Sequence, residues 1–144
     1  MDYNKLTDEH MKDMFLRKPL LKKANDMSKG EIGALLYLGR ENNNALAGEI
    51  SARMKITSGR MASILKSLDK KGYISKRKGK EDCRQTIVSI TVEGQDFLEK
   101  DRKLIFSSIR NLLVFLGEED AKNYVRINKR LVEKFDKEKE YYNG

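Results

Sequence analysis

The chain has 144 residues, enough for one hydrophobic core and too few for two independent ones. Its 36% charged and 39% hydrophobic residues exclude a disordered chain and match a soluble, helix-rich domain. No apolar run approaches the ~20 residues of a membrane span, and one Cys with one His exclude an intramolecular disulfide and a Cys/His zinc site.

Met1-Asp2-Tyr3-Asn4 opens no signal peptide, so a cytoplasmic location is expected. The net charge of +8 is concentrated in one segment. Between Arg53 and Arg84 stand eleven Lys and Arg against three acids, whereas the remainder balances nineteen against nineteen. A positive field with neutral flanks is the footprint of a polyanion-binding surface.

In chain order, Thr7-Asp8-Glu9 predicts the cap and first turn of a helix with Met11, Met14 and Phe15 on its apolar stripe. That helix is expected to end near Arg17, with Pro19 breaking the chain before Leu20 and Leu21. His10, without a second His, is read as solvated or packing. Ser28-Lys29-Gly30-Glu31 has the spacing of a capping box. The helix it opens turns Ile32, Leu35 and Leu36 inward and is expected to close at Gly39 and the polar run Glu41 to Asn44.

Glu49 to Met54 predicts a short helix, although Ala47 and Gly48 stand where Ser or Thr usually caps. A tight turn leads to Thr57-Ser58-Gly59-Arg60, with Thr57 as N-cap of a second helix and Gly72 as its left-handed stop. Met61, Ile64, Leu65 and Leu68 line one face of that helix. Its other face carries Ser58, Gly59, Arg60, Ser63, Lys66 and Lys70, a surface suited to a nucleic-acid groove. The pair reads as a helix-turn-helix, with its second member as the recognition helix.

Tyr73-Ile74 and Thr86-Val88-Ile90 predict a hairpin, with Lys76, Arg77, Lys78, Gly79, Lys80, Glu81 and Asp82 at a basic tip. A hairpin after a recognition helix acts as a wing, and its Arg84 can enter a minor groove. Asp82, two residues before Arg84 and on the same side of an extended chain, is placed to orient that guanidinium. Cys83 lacks a resolving thiol in the chain and is read as a tolerated wing residue. Thr91-Val92-Glu93-Gly94 opens a long helix reaching Leu116. Gly117 to Asp120 starts a last helix, lined by Ala121, Tyr124, Ile127, Leu131 and Phe135, with a frayed end from Lys134 to Glu140.

The Asp82-x-Arg84 and Thr91-x-Glu93-Gly94 motifs, following Leu68-Asp69-Lys70-Lys71-Gly72, resemble those of the MarR family of bacterial transcription regulators. The resemblance runs from about Ser28 to Phe135, with Pro19 and Ala47 as departures. It implies a mainly α winged helix-turn-helix, small β-wing included, whose terminal helices interlock into a homodimer on pseudo-palindromic double-stranded DNA. It also implies release by a small, often aromatic, anionic effector, for which Met14, Phe15 and Tyr37 are the candidate lining residues.

The expected organisation is one domain, 1–144, with DNA binding in 28–100 and dimerisation in 1–27 and 101–144. The expected function is a sequence-specific regulator, a repressor in type, with no cofactor, no metal and no membrane partner. The candidate DNA contacts are Thr57, Ser58, Gly59, Arg60, Ser63, Lys66, Lys70, Lys76, Arg77, Lys78, Lys80, Asp82 and Arg84. The alternative is a winged module for protein contact or sequence-neutral DNA coating. No phosphate-cradling glycine loop or nucleophile beside a His points to an enzyme.

Overall fold

The computed structural model describes residues 1–16 and 26–142, with side chains for 1–11 and 26–135. The break expected at Pro19, with Leu20 and Leu21, lies outside the described residues, as do the side chains of Met14 and Phe15. The chain divides into two compact units, Met1–Gln95 and Asp96–Gly144. The first begins with α1, Tyr3–Leu16. Its cap is Asp2 rather than the expected Thr7: the Asp2 carboxylate accepts from the amides of Asn4 and Lys5 at 3.0 and 3.1 Å. A carboxylate at the positive end of a helix outcompetes a hydroxyl one turn later, and Thr7 instead donates to the Tyr3 carbonyl at 2.7 Å.

Helix α2, Lys29–Leu36, starts on the expected capping box. The Glu31 amide donates to Ser28 Oγ at 3.1 Å and the Ser28 amide to Glu31 Oε1 at 3.5 Å. Ala34 and Leu35 are fully buried, while Ile32 and Leu36 are half-buried. The helix does not stop at Gly39. A π-helical turn, Tyr37–Glu41, carries it to Asn42, whose amide reaches back to the Tyr37 carbonyl at 3.0 Å. Buried Leu38 anchors that extra turn, so packing outweighs the glycine's weak helix preference.

The asparagines that follow are fastened rather than loose. Asn43 Oδ1 accepts from the Ile90 amide at 3.0 Å, and Asn44 Oδ1 accepts from the Ser89 hydroxyl. They lead into β1, Ala45–Leu46, a two-residue strand that the sequence did not announce. Next come α3, Ala47–Met54, and α4, Ser58–Lys70. Strands β2, Ile74–Lys78, and β3, Thr86–Ile90, complete an antiparallel sheet of order β1-β3-β2. The core gathers Leu35 and Leu38 of the α2 run, Ile50 of α3, Met61, Leu65 and Leu68 of α4, and Ile74 and Val88 of the sheet.

Helix α5, Val92–Tyr142, leaves helical geometry at Gly117, where φ is 77°. The helix break expected there is present, and the helix continues through the stretch expected to fray. Within Asp96–Gly144, Phe106, Val114, Phe115 and Phe135 are 62%, 66%, 86% and 57% exposed, so this unit leaves its apolar side chains uncovered. An apolar groove of about 460 Å³ opens there, lined by Phe106, Ile109, Leu113, Val114 and Ala121 beside Gly117.

Buried Glu31 ties α2 to the end of α4. Beyond its capping role, it accepts from Lys71 Nζ at 2.8 Å and Ser67 Oγ at 3.3 Å. Burial pushes the Glu31 carboxyl up, but the Lys71 hydrogen bond and charge, with the Ser28 bonds, outweigh it and hold the pKa below its ordinary value. The Glu31 hydrogen bond chiefly raises that of Lys71. A carboxylate with a depressed pKa stabilises the fold fully above the unfolded value, and the effect is lost as pH falls through the folded one. Glu31→Gln is therefore expected to cost about 2 kcal/mol at pH 7, and the cost should shrink as pH falls below about 4.3. Urea unfolding midpoints at neutral and acid pH check this; a cost independent of pH would show that the charge is immaterial.

Candidate nucleic-acid interface

The turn between α3 and α4 is set by Lys55, a left-handed residue at φ 54°, ψ 45°. Its amide donates to the Ala52 carbonyl at 3.2 Å, and the Ile56 amide donates to that of Ser51 at 3.1 Å. Thr57 then caps α4 as expected, accepting the Arg60 amide at 3.2 Å. At the start of α3 no side chain of Leu46 caps the helix. Glu49 reaches back to the Leu46 amide at 3.2 Å, which supplies half of a capping box.

Helix α4 buries Met61, Ile64, Leu65 and Leu68, the face read from sequence. Ser58, Gly59, Arg60, Ser63, Lys66 and Lys70 are all exposed. Ser63 Oγ donates to the Gly59 carbonyl at 3.3 Å, which leaves its lone pairs free to accept. A Cβ on Gly59 would meet nothing within 4 Å, so packing inside this chain does not call for glycine there. Arg60, Lys66 and Lys70 make no ion pair among the described residues.

Helix α4 ends in Gly72 at φ 78°, a conformation that disfavours a side chain. The Thr91 hydroxyl donates to the Gly72 carbonyl at 2.7 Å and accepts the Gly94 amide at 3.1 Å. A Cβ at Gly94 would collide with the Tyr73 carbonyl oxygen. The Thr-x-Glu-Gly motif thus closes the hairpin's base: threonine spans the junction, and glycine lets two backbones approach.

The wing pairs Lys76 with Val88, Arg77 with Ile87 and Lys78 with Thr86. Lys76, Arg77 and Lys78 therefore belong to β2 rather than to the tip, which is shorter than expected. The tip closes through Gly79 N–H to the Gln85 carbonyl at 3.0 Å and Gln85 N–H to the Asp82 carbonyl at 3.1 Å. Along the wing, Arg77, Lys78, Lys80 and Arg84 are exposed. Asp82 does not face the Arg84 guanidinium: its Oδ1 accepts the Arg84 backbone amide at 2.9 Å. In a tight turn a carboxylate reaches the amide two residues on more readily than a long side chain's end. Arg84 instead borders a shallow groove with Leu46, Ala47, Gly48 and Glu49.

Three of the bases counted in the positive segment have internal acid partners. Arg53 holds Glu41 through two bonds of 3.1 Å, Lys71 holds Glu31 at 2.8 Å, and Lys76 lies 3.3 Å from Asp69. Pairings between residues this far apart in sequence leave no local signal. Tyr37 is half-buried. Cys83 is exposed. Among the described residues no cluster of His, Cys, Asp and Glu could hold a metal, and no helix is long and apolar enough to cross a membrane.

A family model described as a winged helix DNA-binding domain matches residues 31–109. Two relatives from Bacillus subtilis (strain 168), the uncharacterized HTH-type transcriptional regulator YdgJ and the HTH-type transcriptional repressor YetL, are each 26% identical. The matches cover 72% and 70% of this chain but only 62% and 61% of the relatives' lengths. These relatives are named as regulators, not enzymes. Among solved structures, the YusO protein of Bacillus subtilis aligns with a TM-score of 0.78 at 18% identity, over 92% of this chain and 98% of its own. MarR aligns at 0.61 and 20% identity, over 79% and 77%. Streptococcus pneumoniae FabT, solved in complex with DNA, aligns at 0.65 and 18% identity, over 94% and 99%. The mostly helical fold with its small sheet is that of MarR-type winged helix proteins.

Because Asp82 acts on a backbone amide, an Asn side chain can replace it by accepting through its carbonyl oxygen. Asp82→Asn is expected to keep the Arg84 amide protected in hydrogen exchange, while Asp82→Ala speeds exchange several-fold. Equal exchange in both variants would exclude this role.

Proposed function

The chain belongs to the winged helix DNA-binding domain family, and from that premise we propose that it is a transcription regulator, a repressor in type, that binds double-stranded DNA as a homodimer. The observation that carries this reading is the exposed face of α4, where Arg60, Lys66 and Lys70 have no acid partner among the described residues. Thr57, Ser58 and Gly59 bring the helix start to the major groove, and Arg60 and Ser63 meet base edges. Guanidinium is the usual bidentate partner of guanine. Lys66 and Lys70 hold phosphates, and Arg77, Lys78, Lys80 and Arg84 extend the same field along the wing. Residues 28–100 form the DNA-binding part.

The dimer is supported by the uncovered apolar side chains of Asp96–Gly144. Patches of this kind are covered by a partner, and a second copy related by a two-fold axis covers both at once. Residues 1–27 and 101–144 supply that interface. Two recognition helices then meet half-sites about 34 Å apart on a pseudo-palindrome. A repressor reading accords with the name of YetL. A small aromatic or anionic effector, and a cytoplasmic location, complete the proposal.

Selection of duplexes from a random library tests it. The expected outcome is an inverted repeat with half-sites one helical turn apart, whereas uniform recovery of all sequences would point to sequence-neutral coating. Arg60→Ala should cost about 1 to 3 kcal/mol at one base position and relax preference there. Lys66→Ala should weaken all sequences alike. Removing 121–144 should convert a sedimenting dimer to monomers or aggregates; a full chain that sediments as a monomer would overturn the dimer.

A further inference from the structure

Asp69 stands out on the surface just described. It is the sole acid on α4 and its side chain is 47% exposed. It occupies the helix's last turn, where the negative end of the dipole disfavours a carboxylate. Its carboxylate pairs with Lys76 Nζ of β2, at 3.3 Å. An ion pair this open to water adds little to stability. The closing turn of α4 does not use the carboxylate either, because the Asp69 backbone carbonyl accepts the Gly72 amide at 3.0 Å. The fold therefore has small use for the charge.

Resting on the DNA-binding reading above, we propose that Asp69 is an electrostatic brake that competes with DNA phosphate for the Lys76 ammonium. Each phosphate neutralised by a lysine releases a condensed counterion, which strengthens binding to every sequence alike. A lysine held by a carboxylate contributes less of this release. The brake therefore loosens the hold on any duplex and leaves base preference unchanged, since Lys76 carries no base readout in this scheme. Its effect is on affinity for any duplex, with sequence choice left to the start of α4.

The test is fluorescence anisotropy of the full chain on a random-sequence duplex across a salt series. Asp69→Asn is expected to bind about fivefold tighter near 0.1 M salt, with the slope of log K against log salt steeper by about one per subunit. Asp69→Glu should behave as wild type. In a Lys76→Gln background, Asp69→Asn should leave the slope unchanged. Tightening of equal size in that background would assign Asp69 a general repulsion and overturn the pairing. Salt-dependent wild-type binding with no change in Asp69→Asn would overturn the brake alone, whereas a wild type that binds no duplex would remove the DNA-binding reading beneath it.

Discussion

One carboxylate holds the frame on which the exposed face of α4 stands. Glu31 caps its own helix through Ser28 and, from the same side chain, receives Ser67 and Lys71 at the far end of α4. Apolar packing alone is non-directional and does not by itself fix the angle at which α4 offers its outer face. Met61, Leu65 and Leu68 supply burial. The charge-assisted bonds to Glu31 add direction, since they are strong only at short range and good alignment. The arrangement also satisfies the carboxylate on both oxygens, the condition under which a buried charge is tolerable.

From that fixed end the chain enters the wing through a second constraint. Gly72 turns left-handed, Thr91 ties its carbonyl to the start of α5, and Gly94 lets Tyr73 pass against it. Two short stretches distant in sequence, Gly72-Tyr73 and Thr91 to Gly94, therefore meet at one junction. The wing's base cannot shift without disturbing α4, and its tip is closed by backbone bonds around Asp82.

What the sequence made legible follows from the range of the interactions. The capping box at Ser28, the Thr57 cap, the stripe of α4 and the stop at Gly72 are all local, and each stands where its spacing placed it. At the start of α1, Thr7 and Asp2 are both competent caps in sequence and only geometry separates them. Strand β1 was not legible because two residues show no period; it exists through pairing of Ala45 and Leu46 with Val88 and Ile87. The aim of Asp82 is beyond the sequence for a similar reason. Spacing put it beside Arg84 but did not distinguish the amide from the guanidinium.

The charge pattern shows the same limit at the candidate site. Counting residues from Arg53 to Arg84 treats every lysine and arginine as available, yet Arg53, Lys71 and Lys76 face Glu41, Glu31 and Asp69. Two of those acids lie outside the counted segment, so the segment's formal charge overstates the field that reaches a partner. Arg60, Lys66 and Lys70 on α4, and Arg77, Lys78, Lys80 and Arg84 on the wing, are left without such partners among the described residues. Paired charges within a Debye length of one another largely cancel at distance, while unpaired ones add. The positive field of this unit is therefore weighted towards the outer face of α4 and the wing, the two elements whose positions the Glu31 and Thr91 junctions fix.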